Sequence, residues 1–154
     1  MAVSNILVLK PDTHRSSKNP MEIILKNLQK KTPIPQTKIR KATKAAFRKL
    51  KFSLRGLSIV FVGAERMCAI NKQFLGHDYV TDVLTFDLGD DQAEIIICPK
   101  VANANAKVHQ STVENEIILY VIHGVLHLAG YDDHSPKDIQ EMRMMESLLL
   151  RRVK

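Results

Sequence analysis

Two hydrophobic periods divide the chain. Residues 21–28 (MEIILKNL), 57–62 (LSIVFV), 81–86 (TDVLTF) and 93–98 (AEIIIC) are short apolar runs rich in β-branched residues, the mark of buried strands. Between them apolar positions recur every three to four residues, which predicts helices. Residues 38–50 set Ile39, Ala42, Ala46 and Phe47 on one side and Lys38, Arg40, Lys41, Lys44, Arg48 and Lys49 on the other, with Thr37 as the expected N-cap. Residues 64–74 offer Met67, Cys68, Ile70 and Phe74 to a core, and residues 101–108 fit a shorter helix. Turns are expected at Gly76-His77-Asp78 and over residues 87–91.

The longest apolar pattern begins at Thr112, a cap residue followed by Glu114 and Glu116 in the first turn, where the positive helix end favours carboxylates. It continues through Ile117, Ile118, Leu119, Val121, Ile122, Val125, Leu126 and Leu128, apolar on most sides, so this helix is expected to be central and buried. Ser135-Pro136 then restarts a helix, cap first and proline at the first position, that runs through Met142, Met145, Leu148 and Leu149 to Arg151-Arg152. Residues 4–9 fit a short strand, but the stretch that follows, through Pro20, is polar and turn-rich. Residues 1–20 are therefore expected to form a tail or N-terminal extension, and residues 21–154 a single domain. The expected fold class is α+β (mixed α/β): three or four strands in a small mixed sheet, packed with about five helices.

A chain of 154 residues suffices for one domain with a real core, and 45% hydrophobic with 25% charged residues is ordinary globular composition. No apolar stretch approaches the roughly 20 residues of a membrane span, and the N-terminus lacks a secretory signal pattern, so no membrane role and a cytoplasmic location are expected. Cys68 and Cys98, isolated among apolar residues, read as buried thiols rather than a disulfide. Charge is unevenly spread: the net charge is +7, of which residues 1–55 hold +12 and the remainder −5. A basic half beside a mildly acidic one suggests a polyanionic partner, with RNA the first choice.

Chemistry concentrates in HGVLHLAGYDDH, residues 123–134. His123 and His127 stand four apart, on one helix face, so that both imidazoles can reach one metal ion. Gly130 can turn the chain back and deliver Asp133 or His134 as a third ligand; three protein ligands leave a zinc position open, the catalytic arrangement. The pattern mimics the zinc-protease helix H-E-x-x-H, except that Gly124 stands where the protease keeps its general base. Peptide hydrolysis is therefore disfavoured. Phosphodiester cleavage suits a metal acting as Lewis acid, beside a basic surface that holds the rest of a nucleic-acid chain.

The same stretch resembles the signature of the YbeY family, H-G-x-L-H-L-x-G-Y-D-H, and residues 81–86 resemble that family's T-D-V-L-S-F segment. Asn71 to Phe74, Gly76, Asp78 and Glu116 also fit, and the likeness covers residues 21–149. The resemblance implies a single-strand-specific, zinc-dependent endoribonuclease holding one Zn2+ ion through three histidines. It further implies action in 16S ribosomal RNA 3′-end maturation and ribosome quality control in the bacterial cytoplasm, with ribosomal RNA and the small subunit as partners. His123 and His127 carry over directly, as metal ligands and catalytic residues. The family's third histidine falls at Asp133; His134, one residue later, is the expected third ligand and Asp133 the alternative. Leu75 stands where the family usually has an arginine, with Lys72, Lys100 and Lys107 as possible substitutes, and Ala93-Glu94-Ile95 stands for G-D-I. The Leu75 departure keeps an alternative open, an RNA- or ribosome-binding factor with little turnover. Another zinc hydrolase is the remaining one.

Overall fold

The computed structural model describes residues 5–8 and 19–153. Among these residues five strands, β1 (Asn5–Val8), β2 (Glu22–Asn27), β3 (Gly56–Phe61), β4 (Val83–Gly89) and β5 (Gln92–Ile97), form one mixed sheet in the order β1-β4-β5-β3-β2. β2, β3 and β5 run parallel, β4 is antiparallel to β5, and β1 pairs parallel with β4. The fold is α+β, with five helices among the described residues: α1 (Gln36–Leu50), α2 (Ala64–Leu75), α3 (Pro99–Val108), α4 (Val113–Leu128) and α5 (Pro136–Val153). The fifth strand, β1, comes from the stretch expected to be peripheral.

Two cores flank the sheet. The larger joins Ile59, Phe61, Val83, Ile95 and Ile97 of the strands to Ile39, Ala46 and Phe47 of α1, Ile117, Val121, Ile122, Val125 and Leu126 of α4, and Met142 and Leu149 of α5. The smaller sets α2, through Met67 and Ile70, on the opposite face against Val60, Leu84, Phe86, Ile96 and Cys98. Central strands buried on both faces read as continuous apolar runs, as LSIVFV and AEIIIC do. Both cysteines are free thiols; Cys98 is buried, while Cys68 is only half-buried.

Three local expectations are corrected. The α1 helix starts at Gln36, directly after Pro35, whose carbonyl accepts from Ile39 N–H at 2.9 Å; Thr37 lies inside the helix and caps nothing. Residues 87–91 are not a loop throughout, because β4 extends to Gly89 and meets β5 through Asp90-Asp91. Both aspartates have positive φ, 52° and 57°, which the tight hairpin turn demands. The α3 helix begins at Pro99 rather than Val101, with proline in its first turn, where the missing N–H costs nothing.

Where the caps were explicit, the helices follow them. Thr112 Oγ1 accepts from Asn115 N–H at 3.1 Å and opens α4. Ser135 and Asp138 exchange side-chain and backbone bonds at 3.1 and 3.3 Å at the start of α5. Gly76, at φ 70°, ends α2.

Candidate metal centre at the end of the central helix

The α4 helix lies across the sheet, and Gly124 is its point of closest approach. A Cβ at this position would lie 2.8 Å from Ile95 Cδ1 and 3.1 Å from both Ile95 Cγ2 and Thr85 Oγ1. Any side chain here would force Ile95 and Thr85 to give way. The side that a protease would use for its glutamate is filled here by β4 and β5.

The two imidazoles meet at right angles, with Nε2 atoms 2.9 Å apart. Each ring is fixed from behind by its Nδ1. His127 Nδ1–H donates to the Tyr131 carbonyl at 3.0 Å, and His123 Nδ1–H donates to the Glu146 carboxylate on α5. Because both Nδ1 atoms donate, both Nε2 atoms present lone pairs to the same point. Two lone pairs at that separation need a cation between them, a proton or a metal ion. Burial pushes the His127 imidazole down to about 4, and the neighbouring His123 pushes the same way, so His127 is neutral at ordinary pH and its lone pair is free to ligate.

The Asp133 carboxylate closes the third side, 3.6 Å from His127 Nε2 and 3.8 Å from His123 Nε2. All three ligand atoms lie within 4.8 Å of one another. Ligands held about 2.0–2.2 Å from a tetrahedral zinc sit about 3.3 Å apart, so two imidazoles and one carboxylate fit such an ion in both chemistry and spacing. The structure differs from the sequence expectation in what it brings together here. His134 is 82% exposed and faces Asp132 at 3.2 Å, away from the two α4 histidines. The cause is the turn after α4. Gly130, at φ 99°, reverses the chain while Tyr131 N–H bonds back to Leu126, and this swings the side chain three residues on, not four, toward the helix end.

Other residues of interest lie along α2, α3, the start of α4 and the approach to β4. Asp82 is buried just before β4, accepts from Val83 N–H at 2.8 Å, and has its carboxyl pushed up by burial against the pull of that bond and of His123. Glu116 is buried one turn into α4 and pairs with the half-exposed His109 at 3.1 Å. Leu75 ends α2 and packs on the smaller core, while Lys72 faces Asp78 at 3.9 Å. Lys100 and Lys107 are exposed on α3.

Glu146 and the Tyr131 carbonyl are the contacts that sequence reasoning missed. A signal for Glu146 existed: it lies on the stripe Met142, Glu146, Leu149, Val153, where a carboxylate interrupts an otherwise buried apolar row. No residue-type signal marks a main-chain acceptor such as Tyr131.

A family profile described as "Endoribonuclease YbeY" matches residues 24–154. Curated proteins of that name include one from Thermotoga neapolitana, 45% identical over 87 residues, a match covering 55% of this chain and 58% of the relative. Another, from Chlorobium phaeovibrioides, is 34% identical over 134 residues, covering 85% of this chain and 90% of the relative. Among solved structures, the solution structure of a Thermotoga maritima protein superposes with a TM-score of 0.61 at 29% identity, covering 85% of this chain and 88% of the other.

Proposed function

Because the chain belongs to the YbeY endoribonuclease family, we propose that it is a zinc-dependent endoribonuclease that cuts single-stranded RNA, with the 3′ end of 16S ribosomal RNA and quality control of the small ribosomal subunit, in the cytoplasm, as its setting. The observation that carries the metal dependence is the pair of opposed Nε2 atoms of His123 and His127, 2.9 Å apart, with the Asp133 carboxylate beside them. His123, His127 and Asp133 hold the ion in this reading. The exposed pairing of His134 with Asp132 favours Asp133 over His134 as the third ligand.

When bound, one zinc ion supplies Lewis-acid polarisation of a phosphoryl oxygen and activation of water. The protein's own groups do the rest. Tyr131 O and Glu146 lock the two rings with Nε2 inward, which preserves the tautomer needed for ligation. Gly124 offers no carboxylate to take the proton of attacking water as a peptidase would, and this supports a phosphodiester substrate over a peptide.

A second reading, an RNA-binding factor with little turnover, draws on Leu75, whose side chain packs into the smaller core and offers no cation to substrate phosphate. Incubation of single-stranded ribosomal RNA with wild type, wild type plus chelator, and His127→Ala separates the two. Cleavage confined to untreated wild type is the expected result; equal cleavage by all three refutes the metal-centred nuclease, and binding without cleavage favours the second reading. Zinc content after dialysis should fall sharply in Asp133→Ala and stay near wild type in His134→Ala, and the reverse pattern assigns the ligand to His134.

A further inference from the structure

Away from the histidines, Lys41, Lys44, Arg48, Lys49 and Lys51 of α1 and its C-terminal turn converge with Arg152 of α5 on a concavity of ≈ 750 Å³. All six cations are exposed, and none is ion-paired to a carboxylate among the described residues. Elsewhere on α1 the pairing differs, since Lys38 is neutralised by Glu114 at 2.7 Å. Lys41, Lys44, Arg48 and Lys51 follow a 3-4-3 spacing along one helical stripe about 15 Å long.

The backbone around Lys51 adds an independent sign. Lys51 sits at φ 50°, the left-handed position that closes α1, with Phe52 N–H returning to the Phe47 carbonyl at 3.2 Å. Glycine is the residue that this position ordinarily takes. A lysine there keeps a cation in the lining of the concavity in spite of backbone strain.

We propose that this α1–α5 concavity is a second RNA-docking site that grips the phosphodiester backbone. The RNA identity rests on the reading above; the polyanion chemistry does not. Among the described residues its lining is charged apart from Ala45 and includes no aromatic ring on which a base could stack, so it holds phosphates without reading sequence. A lipid surface fits less well. Membrane-lying helices insert an apolar face, whereas Ile39, Ala42, Ala46 and Phe47 are already buried against the sheet and neighbouring helices.

The test is equilibrium binding of a fluorescent RNA hairpin with a single-stranded tail, read by anisotropy in the presence of chelator from 50 to 200 mM KCl. The full-length chain is compared with the variant Lys41→Glu/Lys44→Glu/Arg48→Glu. A control, Lys26→Glu/Lys30→Glu/Lys31→Glu, changes net charge by the same amount outside the concavity, and circular dichroism verifies the fold of each. Expected is at least tenfold weaker binding for the α1 variant at 50 mM, and less than threefold for the control. Loss of three single-strand phosphate contacts should also lower the slope of log K against log salt by about 2. The milder Lys41→Gln/Lys44→Gln/Arg48→Gln variant should fall between wild type and the Glu variant, and it replaces the latter if that does not fold. Equal losses in both triple variants would overturn the proposal in favour of net charge alone, and no loss in either would overturn it outright. Cosedimentation with vesicles containing phosphatidylserine that depends on the α1 lysines, with RNA binding intact, would transfer the site to a membrane partner. Chelator removes cleavage from the measurement, so binding here is read independently of the nuclease reading, which fails only if untreated wild type leaves single-stranded ribosomal RNA uncut.

Discussion

Replacing Gly124 by alanine adds one methyl group at the closest approach of α4 to the sheet. In a solvent-exposed helix the change would be favourable by about 1 kcal/mol, because alanine loses less backbone entropy. Here the new Cβ would lie 2.8 Å from Ile95 Cδ1 and 3.1 Å from Ile95 Cγ2 and Thr85 Oγ1. The 2.8 Å approach of Cδ1 cannot stand, and Cγ2 and Oγ1, each branching at Cβ on a strand backbone, leave the Ile95 side chain little room to swing away. Overpacking of this kind costs about 1–3 kcal/mol. The net expectation is a loss of about 1 kcal/mol, which in a chain of this size lowers Tm by about 2–4 °C. The assay is a thermal or urea double-mutant cycle with Ile95→Val, which removes the nearest atom and by itself costs about 0.5–1.5 kcal/mol. In the Ile95→Val background Gly124→Ala should become neutral or stabilising, a coupling of about 1 kcal/mol. If Gly124→Ala raises Tm equally in both backgrounds, the glycine is not a packing requirement, and the account of why this helix carries no general base at that position fails with it.

Glu146→Ala should weaken zinc binding about 10–100-fold in a competition assay against a chelating dye, while Glu146→Gln, whose amide oxygen still accepts from His123, should retain most of it; wild-type affinity in the alanine variant would remove Glu146 from the site. For metal-free protein, His127 titrates near 6.5 when unfolded and near 4 when folded, so the unfolded chain takes up the proton first. Its contribution, about 3 kcal/mol, is complete above about pH 6.5 and is lost as pH falls toward 4. Urea melts across that window should show the decline, and it should be shallower in His127→Gln. Lys51→Gly should relieve the strained φ and raise Tm by about 2–4 °C while weakening RNA binding by a few-fold; a lower Tm would show that the lysine is not strained.

The parts of the fold announced by short-range chemistry were readable in the sequence. Thr112, Ser135-Pro136 and Gly76 fix helix ends through bonds to residues three or four away, and short β-branched apolar runs and period-3.6 patterns separate strands from helices without knowledge of the partner. The hairpin at Asp90-Asp91 was hidden because two aspartates take a conformation that Asn-Gly or Asp-Gly would have advertised. At the metal centre, the i, i+4 histidines were legible and their supports were not. Glu146 reaches His123 from 23 residues away, and Ile95 and Thr85 explain Gly124 from across the sheet. The turn posed a different difficulty: whether residue 133 or 134 faces the helix depends on the path of the backbone through Gly130, which a residue count leaves undetermined.

His127 is oriented by the carbonyl of residue 131, not by the tyrosine side chain. A main-chain acceptor is present whatever amino acid occupies the position, so no single substitution can delete it. Drift in the loop's side chains is therefore filtered only through the route of the chain, and Gly130, at φ 99°, is the residue that fixes that route. Loop chemistry around the centre can diversify widely among descendants of this sequence while the ring keeps its bearing.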